Sequence, residues 1–355
     1  MTRFHPLKVT EIRRETPDSV SILFDLPEGL RETFAFKPGQ YLTLRTTIDG
    51  EEIRRSYSIC AAPEDGVLRV GVKKIEGGAF STFANENLKP GDAVEAMPPE
   101  GRFTPKKIGA KEVLCIAAGS GITPILSIVK ALLAREKDVA ITLVYGNRTT
   151  ASVMFAEEIE DLKNRYLGRL SVLHVLSREA LDSPLLNGRI TGERLKALAE
   201  GAIDMKRIDE AFICGPEGMV DEARATLAEL GVPAGAIHTE RFTPAAPRKA
   251  FRPPEGKAAD AVLAQVTVTL DGRTNTFDML EGDENLIDAA ARAGLDLPYS
   301  CKGGMCCTCR CRVTDGAVDM AVNYSLENWE TEAGFVLGCQ SRPTTGKLAV
   351  DFDQI

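Results

Sequence analysis

The sequence predicts a multidomain α+β and α/β protein in three successive parts: an antiparallel β-barrel, a doubly wound parallel sheet and a small cysteine-bearing module. Three observations carry this expectation. Short strands punctuated by Pro-Gly turns fill the first part. Strands alternating with helices fill the second, and a proline-rich tract precedes closely spaced cysteines in the third. At 355 residues the chain is too long for one ordinary hydrophobic core, so two or three domains are expected.

In residues 1–107, Val20-Ser21-Ile22-Leu23-Phe24, Tyr41-Leu42-Thr43-Leu44, Ser56-Tyr57-Ser58-Ile59 and Val67–Val72 read as strands, with turns at Pro38-Gly39 and Pro90-Gly91. The pattern changes near residue 111. Val113–Ala118, Ala140–Tyr145, Leu170–Leu176 and Glu210–Cys214 are apolar strand-like runs. Helical periodicity falls between and after them, at Pro124–Arg135, Phe155–Arg165, Thr191–Leu198 and Met219–Leu230. Such alternation, over 108–242, means a parallel sheet covered on both faces. Residues 243–261 carry four prolines and no apolar period, as a semi-stiff linker would. From 262 to 355, a hairpin is expected around Asp271-Gly272, then a helix from about Asn285 to Arg292 ended by Gly294, then the cysteine loop.

The cysteines carry the most specific chemistry. Cys301, Cys306 and Cys309 read C-x4-C-x2-C, and Cys339 follows after 29 residues. This is the spacing of plant-type [2Fe–2S] ligation, three thiolates from one loop and a distant fourth. Gly303 and Gly304 let backbone N–H groups approach the sulfurs. Cys306-x2-Cys309 alone would also suit structural zinc, but zinc sites usually pair two such knuckles and one is present. Only three histidines occur and none neighbours the cysteines, which excludes a Rieske centre. Cys60, Cys115 and Cys214 sit in apolar runs and read as buried small residues.

Composition bounds the function class. Hydrophobic content of 44% and charged content of 26% are those of an ordinary globular protein, and no apolar run reaches membrane-spanning length. Met1–Lys8 has no signal-peptide core, so a cytoplasmic location with reduced thiols is expected. The net charge is −8, and residues 262–355 hold 7 Lys+Arg against 14 Asp+Glu, leaving 36 against 37 elsewhere. An acidic end module disfavours nucleic acid and suits a basic protein partner or simple solubility.

Three further motifs suggest bound nucleotides. Gly119-Ser120-Gly121-Ile122-Thr123-Pro124 is a strand-to-helix turn whose glycines and free N–H groups suit a phosphate, with Pro124 expected at the first helical position. Cys214-Gly215-Pro216 is a second strand end facing the same crevice, with room for a flat ring. In the barrel, Arg55-Ser56-Tyr57-Ser58 offers a guanidinium for a pyrophosphate and a ring for an aromatic cofactor, and Gly77-Gly78 with Ser81 and Thr82 makes a second phosphate cradle. Arg148 and Arg178 follow two adjacent strand ends where a 2′-phosphate would sit. This favours NADPH over NADH, although Glu179 is close by.

Together with Pro38-Gly39-Gln40-Tyr41 and Glu240-Arg241-Phe242, these motifs resemble the ferredoxin–NADP reductase superfamily across nearly the whole chain. The domain order is similar to that of reductase components of bacterial multicomponent oxygenases. The resemblance implies an FAD-binding barrel, an NADP-binding α/β domain and a β-grasp ferredoxin domain. It places Arg55, Tyr57 and Ser58 on FAD, Gly78, Ser81 and Thr82 at its pyrophosphate, and Thr123, Cys214 and Phe242 around the flavin and nicotinamide rings. Phe242 departs from the family pattern, since plant members end their chain at that aromatic. The resemblance also implies an oxygenase component, of di-iron type, as electron acceptor, and neither membrane nor nucleic acid as partner. A Rieske-type or steroid oxygenase reductase shares every motif, and a non-catalytic iron–sulfur carrier is the alternative of another class.

Overall fold

The computed structural model describes residues 4–243 and 258–354, which fall into two compact units within 4–245 and 246–355. Most of the expected linker at 243–261 lies outside the described residues.

The first half of the larger unit is a six-stranded antiparallel sheet. Its strands are β1 (His5–Thr16), β2 (Ser19–Phe24), β3 (Tyr41–Ile48), β4 (Glu51–Ser58), β5 (Leu68–Lys73) and β6 (Ala93–Ala96), in spatial order β4-β3-β6-β1-β2-β5. An antiparallel bridge from Ile59 to Val70 joins the two ends, so the sheet closes on itself. Its inside is filled by alternate residues, among them Leu7, Val9, Ile22, Leu42, Leu44 and Val70. Helix α1 (Ala79–Glu86) adds Phe80 and Ala84 to that core. The long β1 was not expected from sequence, because its charged alternation HPLKVTEIRRET hides a half-buried strand.

The second half is a five-stranded parallel sheet of β7 (Glu112–Ala118), β8 (Ala140–Asn147), β9 (Leu170–Leu176), β10 (Glu210–Pro216) and β11 (Ile237–Thr243), ordered β11-β10-β7-β8-β9. Helices α2 (Ile122–Arg135), α3 (Ala156–Arg165), α4 (Gly192–Gly201) and α5 (Glu217–Glu229) cover it, and two separate apolar cores form, one on each face. Strand β11, absent from the sequence expectation, pairs in parallel with β10 and puts Glu240 opposite Cys214. Helix α2 begins two residues earlier than expected. Gly119–Gly121 forms a 3₁₀ turn that runs directly into it, so Pro124 sits within the first turn and not at its first position. The first turn has no N–H to lose there, so proline is tolerated equally well.

The two halves of this unit pack through small and polar contacts. The Ser127 hydroxyl of α2 donates to the Ala61 carbonyl at 2.6 Å and accepts from Gly39 N–H at 3.3 Å. Gly71 of β5 leaves room for α2, since a Cβ there would lie 2.5 Å from the Thr123 methyl. Arg69 meets Glu158 at 2.6 Å, and Lys130 meets the same carboxylate at 2.8 Å.

The smaller unit has a mixed sheet of β12 (Val262–Leu270), β13 (Arg273–Leu280), β14 (Arg310–Asp315), β16 (Phe335–Leu337) and β18 (Lys347–Asp351), ordered β13-β12-β18-β14-β16. A two-stranded pair, β15 (Val318–Met320) with β17 (Ser341–Pro343), and helices α6 (Leu286–Arg292) and α7 (Asn328–Glu332) complete it. Asp271 and Gly272 both take positive φ, 52° and 69°, as a tight type I′ hairpin requires. Asn285 caps α6 by accepting from Asp288 N–H at 3.0 Å.

Candidate functional site

Strand ends and the turns that follow them place most candidate residues in the crevice of the larger unit. Gly119 takes φ +53° and has open space where a side chain would begin. Tyr145, fully buried in β8, donates from its hydroxyl to the Gly119 carbonyl at 3.0 Å and so fixes the turn from beneath. A Cβ on Gly121 would lie 2.2 Å from the Cys214 carbonyl oxygen. The two glycine turns therefore touch, and only hydrogen fits between them. Gly215 is similarly pressed against Met219 and Ala118, with Pro216 exposed next to it at the N-cap of α5. An open αL turn beside a helix N-terminus fits a dinucleotide phosphate.

Thr123 is 1% exposed, its hydroxyl donating to the Ser120 carbonyl at 2.9 Å. Cys214 is wholly buried, and burial, reinforced by the nearby Glu240, holds its thiol far above the ordinary range. It is thus an uncharged, compact surface and not a nucleophile. Phe242 is half-buried against the core between β7 and α2.

From sequence Glu240 is only a member of a motif, yet its carboxyl points inward, 4.0 Å from Cys214 Sγ. Desolvation raises its pKa to about 8 against a lowering hydrogen bond from the buried Ser58. At neutral pH it holds a proton beside the candidate ring site. The run Ile237-His238-Thr239-Glu240-Arg241-Phe242 is mostly polar, so nothing local in the sequence singles out Glu240 as the group turned toward Cys214. Ser58 and Cys214, from barrel and sheet, meet at this one carboxyl.

On the barrel, Tyr57 packs its ring 5.2 Å from that of Phe80, and Arg55 is exposed with its guanidinium on the Arg54 carbonyl at 2.7 Å. Ser56 is half-buried on the opposite strand face. Beyond them an open groove of about 580 Å³ is lined by Thr47, Asp49, Gly77, Gly78, Thr82 and Phe83 among others. Ser81 turns inward instead. It is 3% exposed and its hydroxyl donates to the Gly78 carbonyl and accepts from Ile75 N–H, both at 3.1 Å. Gly78 and Thr82 face the groove, and Ser81 shapes the loop that presents them. A glycine-rich rim at a helix start with an adjacent aromatic pair fits a flavin nucleotide.

Arg148 and Arg178 are exposed at the ends of β8 and β9, and Arg178 N–H donates to the Arg148 carbonyl at 2.7 Å, so the two cations are backbone neighbours. Glu179 is engaged elsewhere. It accepts from Thr150 N–H at 2.7 Å and from the Thr150 hydroxyl at 2.8 Å, which lowers its pKa.

In the smaller unit the four candidate sulfurs come together in two touching pairs. Cys301 is held low chiefly by a hydrogen bond from Cys306, then by Gly303, Met305 and Cys306 N–H groups; Cys339 is held low chiefly by a bond from Cys309. Gly303 N–H lies 3.3 Å from Cys301 Sγ. Lys302, Gly304 and Cys307 take positive φ, which curls the loop around the sulfurs. Two sulfur pairs served by N–H···S contacts are consistent with the two-iron ligation that the cysteine spacing implies. Cys311 is buried in the core of this unit and Cys60 and Cys115 in that of the other.

Comparison with known proteins agrees with this layout. Residues 6–104 match an oxidoreductase FAD-binding domain, 115–225 an oxidoreductase NAD-binding domain and 268–344 a 2Fe-2S iron-sulfur cluster binding domain. The chain is 47% identical to one subunit of the 1,2-phenylacetyl-CoA epoxidase of Escherichia coli K12, over 99% of both chains. It is 37% identical to the ferredoxin reductase component of the 3-ketosteroid-9-alpha-monooxygenase of Rhodococcus rhodochrous, over 98% of this chain and 96% of that one. Phthalate dioxygenase reductase shares the fold, with a TM-score of 0.62 at 22% identity over 98% of each chain. The cofactors are FAD, a pyridine nucleotide and a [2Fe–2S] cluster, and the chain belongs to the family of flavin- and iron–sulfur-dependent reductase components of multicomponent oxygenases.

Proposed function

We propose that this reductase oxidises NADPH and supplies electrons to the di-iron oxygenase of a phenylacetyl-CoA epoxidase in the cytoplasm. The full-length 47% identity to a subunit of such an epoxidase carries the reading. The bound groups supply hydride acceptance and one-electron transfer when present. The protein's own residues bind, orient and insulate them. In this reading the domains are 1–107 for FAD, 108–242 for NADPH and 262–355 for the cluster, joined by 243–261.

Arg55, Ser56, Tyr57 and Ser58 hold FAD, with Gly78 and Thr82 at its pyrophosphate and Ser81 supporting their loop. Gly119, Gly121, Pro124, Gly215 and Pro216 shape the dinucleotide crevice. Thr123 and Cys214 form its floor, and Phe242 covers a ring face. Glu240 holds a proton on its carboxyl at neutral pH, so no negative charge opposes the ring that accepts the hydride. Cys301, Cys306, Cys309 and Cys339 ligate the cluster.

The paired Arg148 and Arg178, with Glu179 tied to Thr150, favour a 2′-phosphate over a free ribose diol. Arg148→Ala should raise KM for NADPH by about tenfold or more, the loss of one charge-assisted contact, and barely change KM for NADH. Parallel changes would contradict the assignment. The partner is tested by reconstitution: NADPH-driven epoxidation of phenylacetyl-CoA should require this chain, and failure with the purified oxygenase would overturn it. A steroid or betaine oxygenase reductase is the second reading, supported by full-length relatives with those names.

A further inference from the structure

Gln340 follows the fourth cluster ligand directly and is 3% exposed. Its amide nitrogen lies 2.9 Å from the Lys302 carbonyl oxygen and 3.3 Å from Cys339 Sγ. A carbonyl oxygen only accepts, so the group facing Lys302 is the NH₂, and this contact fixes which way the amide is turned. Its two hydrogens are thereby shared out, one to Lys302 and one to the sulfur. The rest of the residue is held as well. Its backbone carbonyl accepts from Ala321 N–H at 2.9 Å, and its Cγ lies 3.3 Å from where a Gly304 side chain would begin. Lys302 follows Cys301 in sequence, so one buried amide joins the loop of the first ligand to the sulfur of the last.

We propose that Gln340 is a positioning residue that raises the reduction potential of the [2Fe–2S] centre through its N–H···S bond to Cys339. The proposal rests on ligation by Cys301, Cys306, Cys309 and Cys339. A bound cluster that took one electron from the flavin would have one ferric ion become ferrous, with no bond formed or broken. The added negative charge spreads onto the thiolate sulfurs. A donor dipole fixed on one of them stabilises the reduced form more than the oxidised form. The amide is buried, so water cannot substitute for it or screen it. A hydrogen bond to a charged acceptor is strong enough to change the electron-transfer equilibrium by about tenfold. Gln340 thereby eases filling of the cluster from the flavin.

The test is an EPR-monitored redox titration of the full-length holoprotein and its Gln340→Met variant, which keeps the length of the side chain and removes the donor. The cluster midpoint should fall, lowering the equilibrium constant for its reduction by about tenfold, or about 59 mV for one electron. The rate of flavin reduction by NADPH should not change. An assembled Met variant with the wild-type midpoint overturns the proposal. If the variant assembles no cluster, pulsed EPR of reduced wild-type protein carrying side-chain ¹⁵N-glutamine decides the question. A labelled nitrogen coupled to the cluster supports the bond, and its absence overturns it. No reduced-cluster signal in wild-type protein would sink the ligand assignment, and this proposal with it.

Discussion

Glu240 shows how one residue can take its chemistry from its surroundings. Its raised pKa of about 8, caused by burial beside Cys214, means the fold holds a proton that the unfolded chain releases near 4.5. Between those values the native state binds more protons than the unfolded state, so stability falls as pH rises from about 4.5 to about 8. Glu240→Gln should remove part of that slope. In melts at pH 5 and pH 8, the wild type should lose several degrees more than the variant. Equal losses would show that the carboxyl is not buried as described. The same deprotonation places a negative charge beside the ring site, so turnover with NADPH should decline above about pH 8 in the wild type and stay flatter in the variant.

Among elements, α2 and β5 form a tightly fitted contact that no local pattern signals. Gly71→Val would drive a methyl into the Thr123 methyl and the Phe155 ring, which would lie 2.5 and 3.1 Å from its Cβ. Overpacking of this kind costs about 1–3 kcal/mol, measurable by denaturant unfolding. Ser127→Ala should cost a similar amount, because it leaves the Gly39 N–H and Ala61 C=O without their shared buried partner. A change below about 0.5 kcal/mol, within the usual range for surface positions, would mean that water fills the gap. Most helices and the parallel strands β7 to β10 were legible, because period and turn residues act locally. Strands β1 and β11 were not. The first is masked by charged alternation, and the second is an edge strand defined by its pairing with β10.

At the scale of the whole molecule, the [2Fe–2S] domain is a compact unit separate from the one bearing the flavin and nucleotide sites. Cys306→Ser should therefore abolish reduction of the oxygenase while leaving NADPH oxidation by small dyes near the wild-type rate, since dyes take electrons from the flavin directly. Equal loss of both activities would contradict the modular organisation. Docking of the acidic residues 262–355 on a basic partner face would make transfer to the oxygenase slow as salt rises, and a salt-independent rate would leave the acidic balance to solubility alone.

By itself, the sequence determined the order of the parts and the glycine turns and proposed the four-cysteine ligand set, because each follows from spacing or from a residue's local backbone freedom. The tertiary structure alone decided that Ser58 and Cys214 meet at the Glu240 carboxyl, that Ser81 turns away from the groove and that Gln340 donates to Cys339. Those are contacts between residues far apart in sequence, or choices among rotamers. Burial and hydrogen-bond supply at the meeting point settle them, and neither quantity exists until the chain has packed.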